Sequence, residues 1–126
     1  MVGIVIVSHS CKAAEGAAEL ALQMAPSAPV AAAGGLPDGG IGTDFERIYA
    51  AVESVAGPDG AVILFDMGSA IMTTEMVLEQ FEGMNIQMAD GPLVEGSIVA
   101  AISSAMGQSV EQILAAVRQA GEGHKL

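Results

Sequence analysis

The sequence has few aromatic residues and few basic residues. One Tyr, three Phe and no Trp are too few to build the stacking surface on which proteins bind single-stranded nucleic acid. Four Lys and Arg residues against fifteen Asp and Glu residues give a net charge of -11, so DNA and anionic membrane surfaces would be repelled. We therefore expect no nucleic acid partner and no membrane partner, and a protein partner should be basic where it docks.

Cysteine and long apolar runs are also scarce. Cys11 is the only cysteine, which excludes an internal disulfide. The first residues lack the charged start and apolar run of a secretory signal peptide, and no apolar stretch reaches the roughly 18 residues that span a bilayer. We expect a cytoplasmic protein, and its 126 residues have room for a single domain, residues 1–126.

Predicted strands and helices alternate along the chain. Val2–Val7 and Ala61–Asp66 contain the apolar, β-branched runs of strands buried on both faces, and weaker strands are predicted at Val30–Ala33 and Ile86–Ala89. Helices are predicted at Lys12–Met24, at Asp44–Ala56, from the MGSA stretch to Gly83, at Gly96–Met106 and at Val110–Ala120. Right-handed crossovers then predict an α/β fold: a doubly wound, mainly parallel four-stranded sheet of order 2-1-3-4 with helices on both faces.

Two polar side chains that can act together lie at the carboxyl ends of the first and third predicted strands. His9 comes just after strand one and Asp66 closes strand three, so both lie at the crevice where the chain reverses its direction across the sheet. A carboxylate that accepts a hydrogen bond from Nδ1–H of an imidazole leaves Nε2 unprotonated and available as a nucleophile. The sequence therefore predicts a nucleophilic His9 oriented by Asp66. The structural alternatives are a histidine that only ends a strand and an aspartate that only caps a helix.

The segments around this pair are suited to hold an anion. Helices are predicted to begin just after His9, at Thr43 and near Ser69, and each helix start presents free backbone N–H groups. Ser10, Thr43 and Ser69 supply hydroxyl donors, and Gly68 lets the backbone come close to a ligand. This combination predicts a phosphate bound against the histidine. No Walker-type nucleotide-binding motif is present.

Helix capping gives some of these residues a structural role as well. Thr43 with Glu46, and Ser109 with Gln112, have the spacing of capping boxes, and Ser69 is a candidate N-cap. We therefore expect Thr43 to serve at least as an N-cap, whereas Ser69 is either an N-cap or a phosphate-binding residue.

Other kinds of site are less well supported by the residues. A metal site would need further ligands, and the remaining histidine, His124, lies in a polar tail, so no metal is expected. A small hydrolase could use Ser8 or Ser69 with His9 and Asp66, but the sequence contains no G-x-S-x-G motif. A non-catalytic regulatory or binding module is the remaining alternative. The roles of Cys11, Lys12 and Glu95 stay open.

At these residues the chain resembles a known family. The segments IVIVSHS with His9, IGTD with Thr43, DMGSA with Asp66 and PLVEG with Glu95 are similar to the phosphotransferase subunits, called DhaM, of bacterial dihydroxyacetone kinases. The core of that family is related to the mannose-type IIA proteins of the sugar phosphotransferase system. The four motifs occur in the right order and span nearly the whole chain. SHS and DMGSA favour the dihydroxyacetone branch over the sugar branch, whose signature is richer in glycine.

The resemblance implies a phosphotransferase that relays a phosphoryl group through a phosphohistidine and needs no cofactor. His9 would accept the group on Nε2 from the carrier protein HPr, which enzyme I charges from phosphoenolpyruvate. The group would pass to ADP on the DhaL subunit, and the ATP formed there would phosphorylate dihydroxyacetone on DhaK. Asp66 matches the acid that orients the histidine, and Thr43 and Ser69 match positions lining the phosphorylated site.

The resemblance also bears on assembly and on the donor. Family members are usually homodimers, and we expect the same here. Some members carry HPr-like and enzyme I-like domains after this one, for which 126 residues leave no room, so we expect the donor to be a separate protein. An alternative with the same chemistry is a IIA domain of a mannose-type sugar permease, which would pass the phosphoryl group to a IIB protein.

Overall fold

The computed structural model describes residues Met1–Leu126. Its strands are β1 Gly3–Ser8, β2 Val30–Gly34, β3 Ala61–Phe65 and β4 Ile86–Met88. Its helices are α1 Cys11–Met24, α2 Phe45–Val55, α3 Ser69–Leu78 with a 3-10 turn at Glu79–Phe81, α4 Leu93–Ala105 and α5 Val110–Glu122. The strands pair in parallel in the order β2-β1-β3-β4, which confirms the predicted fold class and strand order. None of the helices combines the length and the apolar composition needed to cross a membrane.

Alternation along the two central strands, β1 and β3, sends their side chains into two separate cores. One core lies under α1, α4 and α5, and the other lies under α2 and α3. The strand residues in the first core are Ile4, Ile6, Val62 and Leu64, and those in the second are Val5, Val7 and Ile63. Each of these side chains is fully buried, and such burial contributes about 1.5–3 kcal/mol for a residue of this size. The strands that carry the site are therefore anchored on both faces.

Helix starts are where the structure differs most from the predictions. The N-cap of α2 is Asp44, whose carboxylate accepts a hydrogen bond from the Arg47 N–H at 3.0 Å. The predicted capping box of Thr43 and Glu46 is therefore wrong, because aspartate is as good an N-cap as threonine and stands one residue nearer the helix. By contrast, the capping box of Ser109 and Gln112 at the start of α5 is confirmed.

Two further helix starts are shifted relative to the prediction. Ser69 is the first helical residue of α3, and the N-cap position belongs to Gly68, so the prediction of Ser69 as an N-cap is wrong. Helix α4 begins at Leu93, directly after Pro92, and not near Gly96. The reason is that Pro92 takes the N-cap position in extended backbone and accepts the first helical hydrogen bond through its carbonyl, from the Gly96 N–H at 2.8 Å.

The connection from β2 to α2 is held against the end of β1. The Gly35 N–H donates to the Ser8 carbonyl at 3.1 Å, and the Gly42 N–H donates to the His9 carbonyl at 2.9 Å. At Gly34 the end of β2 passes so close to the start of α1 that a Cβ atom would lie 2.8 Å from the Cα of Cys11, a distance only glycine avoids. This close packing fixes the backbone on which His9 stands.

Candidate functional site

The site is built where β1 and β3 end next to each other. The two strands pair in parallel with Val7 opposite Phe65, so the residues that follow them leave the sheet at the same edge. The structure brings His9 and Asp66 together there, with 2.9 Å between Nδ1 of the ring and Oδ1 of the carboxylate. Their side chains are only 14% and 22% exposed, so both are partly shielded from water.

The carboxylate of Asp66 is fixed by four hydrogen bonds. Its Oδ2 accepts from the Ser8 hydroxyl at 2.7 Å and from the His9 backbone N–H at 3.0 Å, and its Oδ1 accepts from the His9 ring and from the Met67 N–H at 2.8 Å. Burial by itself would raise the pKa of Asp66, but these hydrogen bonds outweigh burial and hold that pKa below its ordinary value. Asp66 is thus ionised at neutral pH and acts only as an acceptor.

The partners of the imidazole define its tautomer. Because the ionised Asp66 can only accept, Nδ1 of His9 carries the hydrogen, and Nε2 of the neutral ring has a free lone pair. The Oγ of Ser69 lies 2.7 Å from Nε2, and its hydroxyl therefore donates to that lone pair. Ser69 can do this because it is the first residue of α3 and is free of any capping bond. The ring is held at both nitrogens, and Nε2 is the one that faces an exposed side chain.

Thr43 belongs to a second pair of hydroxyl groups beside this centre. Its Oγ1 lies 3.2 Å from Oγ1 of Thr73. Thr73 is four residues after Ser69, so both side chains lie on one face of α3. The pair thus joins the start of α2 to the helix that presents Ser69 to the histidine.

Ser10 and Gly68 contribute in other ways than direct contact with the ring. The Ser10 hydroxyl caps α1 by accepting from the Ala13 N–H at 3.2 Å, and the Ser10 N–H donates to the Ser8 hydroxyl at 3.0 Å. Gly68 is the N-cap residue of α3, and a Cβ there would meet nothing within 4 Å. The structure leaves open space at Gly68, which keeps the surface beside Ser69 and His9 uncovered.

Ser8 and Thr73 are site residues that the sequence reasoning missed. The sequence offers Ser8 only as the end of a strand and as a possible hydrolase nucleophile, whereas the structure makes its hydroxyl a donor to the Asp66 carboxylate. The signal for Thr73 was its helical spacing of four residues from Ser69. Its contact with Thr43, however, depends on how α2 and α3 pack together.

A cavity of about 490 Å³ lies beside His9, at the start of α1. Its lining residues are Ser10, Cys11, Lys12, Glu15, Gly39 and Ile41. The Cys11 thiol donates to Oε1 of Glu15 at 3.2 Å, and this hydrogen bond, together with partial desolvation, raises the pKa of the thiol. Cys11 is therefore kept as a neutral thiol.

Glu95 forms an ion pair with a residue near the end of the chain. The Glu95 carboxylate pairs with Nζ of Lys125 at 2.9 Å, and the hydrogen bond from Lys125 holds the pKa of Glu95 below its ordinary value. No group of three or more His, Cys, Asp or Glu side chains is placed to hold a metal ion.

The fold and this site define the class of protein: a doubly wound α/β protein with a carboxylate-oriented histidine at its switch point. Comparison with known families gives the narrower identity. Residues 3–114 match the family described as the PTS system fructose IIA component, EIIA-man. The chain belongs to this family.

Several curated relatives are phosphoryl donor subunits of dihydroxyacetone kinases, named DhaM. The one from Escherichia coli K12 is 39% identical in an alignment of 121 residues that covers 90% of this chain and 26% of that protein. The chain thus spans about a quarter of the length of the first relatives it matches. Shorter relatives match over nearly their whole length. The DhaM subunit of dihydroxyacetone kinase 1 from Listeria innocua is 35% identical over 90% of both chains. The DhaM subunit from Lactococcus lactis is 37% identical over 88% of this chain and 89% of its own.

Solved structures have the same fold. A crystal structure of a protein of unknown function is 31% identical, with a TM-score of 0.83 over 97% of this chain and 96% of that one. A sigma-54 interaction domain protein from Enterococcus faecalis superposes with a TM-score of 0.73 over 96% of this chain and 90% of its own. Since that protein is only 19% identical, the likeness concerns the fold alone.

Proposed function

We propose that this chain is the phosphoryl donor subunit of a dihydroxyacetone kinase that depends on the phosphoenolpyruvate phosphotransferase system, and that it carries the phosphoryl group on Nε2 of His9. The observation that carries the proposal is the 2.9 Å contact between His9 Nδ1 and Asp66, which places the ring hydrogen on Nδ1 and the nucleophilic lone pair on Nε2. The similarity to the DhaM subunits from three bacteria supports the choice of pathway.

In the first step His9 takes the group from the phosphohistidine of HPr. The Nε2 lone pair attacks phosphorus in line, the new P–Nε2 bond forms, and the P–N bond to the donor breaks with its electron pair returning to the donor imidazole. The His9 ring gains positive charge during attack. Asp66 stabilises that charge through the Nδ1–H hydrogen bond, as the aspartate does in the serine-protease triad.

Hydroxyl groups and helix starts stabilise the transferred group. The Ser69 hydroxyl, which donates to Nε2 in the free protein, turns aside as phosphorus bonds to that nitrogen and then donates to a phosphoryl oxygen. Thr43 lines the same side of the site. Backbone N–H groups at the starts of α1 and α3, next to Ser10 and Gly68, face the negative charge, each helix start contributing about 0.3–1 kcal/mol. Positioning and charge stabilisation are the main tasks of such a site.

In the second step the group leaves for ADP bound on DhaL. An oxygen of the β-phosphate attacks phosphorus, the P–Nε2 bond breaks, and its electron pair returns to His9, which restores the free site. The ATP so formed phosphorylates dihydroxyacetone on DhaK. In this scheme residues 1–126 act as one domain in the cytoplasm, as a homodimer, with HPr as a separate donor.

A IIA domain of a sugar permease is the second candidate function. The description of the matching family as a fructose IIA component favours it. Its chemistry at His9 is identical, and only the receiver differs, a IIB protein in place of ADP on DhaL.

The test is an intact-mass spectrum after incubation with enzyme I, HPr and phosphoenolpyruvate, with His9→Ala as the control. We expect the wild-type protein to gain one acid-labile phosphoryl group, the variant to gain none, and ADP with DhaL to discharge the group. Phosphorylation that only a IIB protein discharges would favour the permease function. A wild-type protein that stays unphosphorylated would refute both.

A further inference from the structure

Arg47 is a basic side chain without a partner. It lies in the first turn of α2, where its backbone N–H donates to the Asp44 cap at 3.0 Å. The guanidinium forms no ion pair, although the chain holds fifteen acidic residues. Its Nε atom is shielded from solvent and has no hydrogen-bond acceptor. A shielded donor without an acceptor costs free energy, and an anion bound to Arg47 would remove that cost.

The start of α2 is held at the sheet edge where His9 lies. The Gly42 N–H donates to the His9 carbonyl at 2.9 Å, and α2 begins soon after it, at Phe45. Arg47 follows in the first turn of that helix. Arg47 is therefore at the same edge of the sheet as the histidine.

The charge of Arg47 also acts on the start of α1. The hydrogen bond to Glu15 is the main cause that raises the pKa of the Cys11 thiol, and the positive charge of Arg47 opposes that rise. Coulomb interactions weaken with distance and are screened by water, so this effect places the guanidinium near Cys11. Cys11 in turn is two residues from His9.

Lys12 adds a second free cation at the start of α1. It is exposed, forms no ion pair and lines the cavity of about 490 Å³ beside His9. Glu15 is the one acidic residue in that lining, and its carboxylate accepts the hydrogen bond of the Cys11 thiol. The other two basic residues of the chain lie in α5 and in the tail beyond it. Two of the four basic residues thus flank the segment that follows His9.

We propose that Arg47 and Lys12 bind the phosphate groups of the nucleoside diphosphate that receives the phosphoryl group from His9. This inference rests on the proposed function and deepens it, because that function names ADP as the acceptor without a residue of this chain that binds it. A guanidinium can bond two oxygens of a phosphate at once, and an ammonium acts as a compact positive charge. The cavity beside them is in the size range of ligand sites, about 300–1,000 Å³.

The negative charge of the chain makes local cations necessary for this step. With a net charge of -11 the protein repels ADP, and the phosphorylated histidine adds further negative charge. An oxygen of the β-phosphate forms its bond to phosphorus while the P–Nε2 bond breaks and its electron pair returns to His9. The two anions must approach to about 3–3.5 Å for that attack. Cations that face the phosphates of ADP stabilise this arrangement, as Lys and Arg do in other phosphoryl transfers.

The test follows discharge of His9 separately from its charging. Each protein is charged with phosphoramidate, a small phosphoryl donor that needs no partner protein, and is then mixed with the complex of DhaL and ADP at a range of concentrations. The variants are Arg47→Gln, Lys12→Gln and the charge-conserving Arg47→Lys. Arg118→Gln is the matched control, because Arg118 also has no ion pair but lines a separate cavity at the end of α5. Charging by phospho-HPr is measured in parallel.

We expect Arg47→Gln to lower kcat/KM for discharge roughly tenfold to a hundredfold, the range for hydrogen bonds to charged groups. The exposed Lys12→Gln should give a smaller loss in the same direction, and Arg47→Lys should recover part of the rate. Charging by phospho-HPr should not slow in these variants, because a chain with less positive charge attracts a basic donor at least as well. The control should match wild type in both steps.

Two results would overturn the assignment. One is discharge at the wild-type rate in both Gln variants. The other is an equal loss in charging and in discharge, which would show that the cations act on the transferred group and not on the phosphates of the acceptor. A charged wild-type protein that ADP with DhaL fails to discharge would refute the proposed function itself, which is a different result.

Discussion

The hydroxyl of Ser69 donates a hydrogen bond to Nε2 of His9 across 2.7 Å. The hydroxyl therefore occupies the position that phosphorus takes when Nε2 becomes phosphorylated, and it has to rotate before the new bond forms. Because Ser69 is at the exposed first turn of α3, rotation about its χ1 meets little resistance. In the free protein the Ser69 hydroxyl thus covers Nε2, and rotation of that side chain is enough to expose it.

Ser69→Ala should lower the rate of phosphoryl acceptance by roughly a hundredfold to a thousandfold, the range for loss of one hydrogen-bond donor to developing charge. The variant loses the donor to the phosphoryl oxygens, and this loss outweighs the benefit of uncovering Nε2. Quenched-flow measurement of transfer from phospho-HPr checks the rate. Ser54→Ala is a suitable control, since the Ser54 hydroxyl bonds only to the Ala51 carbonyl within α2. A faster Ser69→Ala protein would show that the hydroxyl mainly blocks the histidine.

Asp66→Asn should lower the rate by roughly a thousandfold or more, as the equivalent change does in the serine-protease triad. An amide can donate to Nδ1, which moves the ring hydrogen to Nε2 and removes the nucleophilic lone pair. Asp59→Asn is the matched control, because Asp59 pairs with the N-terminal amine at 2.7 Å and has no contact with the histidine. Wild-type rates for Asp66→Asn would contradict the orienting role.

The strands and their order could be predicted because β1 and β3 are buried on both faces. Strands of this kind have continuous runs of apolar residues, which are easily recognised in a sequence. His9 and Asp66 follow from the same pattern, since the ends of paired parallel strands meet at one edge of a sheet. The cap of α2 was predicted one residue too early, because Thr43 and Asp44 are both good caps and the sequence does not show the contact of Thr43 with Thr73, thirty residues away. The contact of Ser69 with Nε2 likewise depends on the placement of α3.

Because the pKa of Asp66 is lower in the folded protein than in the unfolded chain, the free energy of unfolding depends on pH in acidic solution. Hydrogen bonds in the folded state hold this pKa below its unfolded value, so the folded protein binds fewer protons than the unfolded chain between the two values. The stabilisation is fully present above the unfolded pKa, about 3.9, and is lost as pH falls through the folded-state pKa. Urea unfolding from about pH 6 to pH 3 should show the free energy of unfolding falling less steeply in Asp66→Asn than in wild type. Parallel curves for the two proteins would contradict this contribution.

Salt should slow the transfer from phospho-HPr. With fifteen acidic against four basic residues, and Glu15, Asp38 and Glu75 all exposed, attraction to a basic partner surface speeds the encounter. Screening shortens the Debye length from about 10 Å at 0.1 M to about 3 Å at 1 M salt, so kcat/KM should fall with ionic strength. Phosphoramidate has no basic surface to be steered, and its rate should not fall in the same way. Glu75→Gln should weaken the salt dependence, whereas Glu111→Gln, at the start of α5, should leave it unchanged. A transfer rate that does not change with salt would show that electrostatic attraction does not guide the donor protein to this chain.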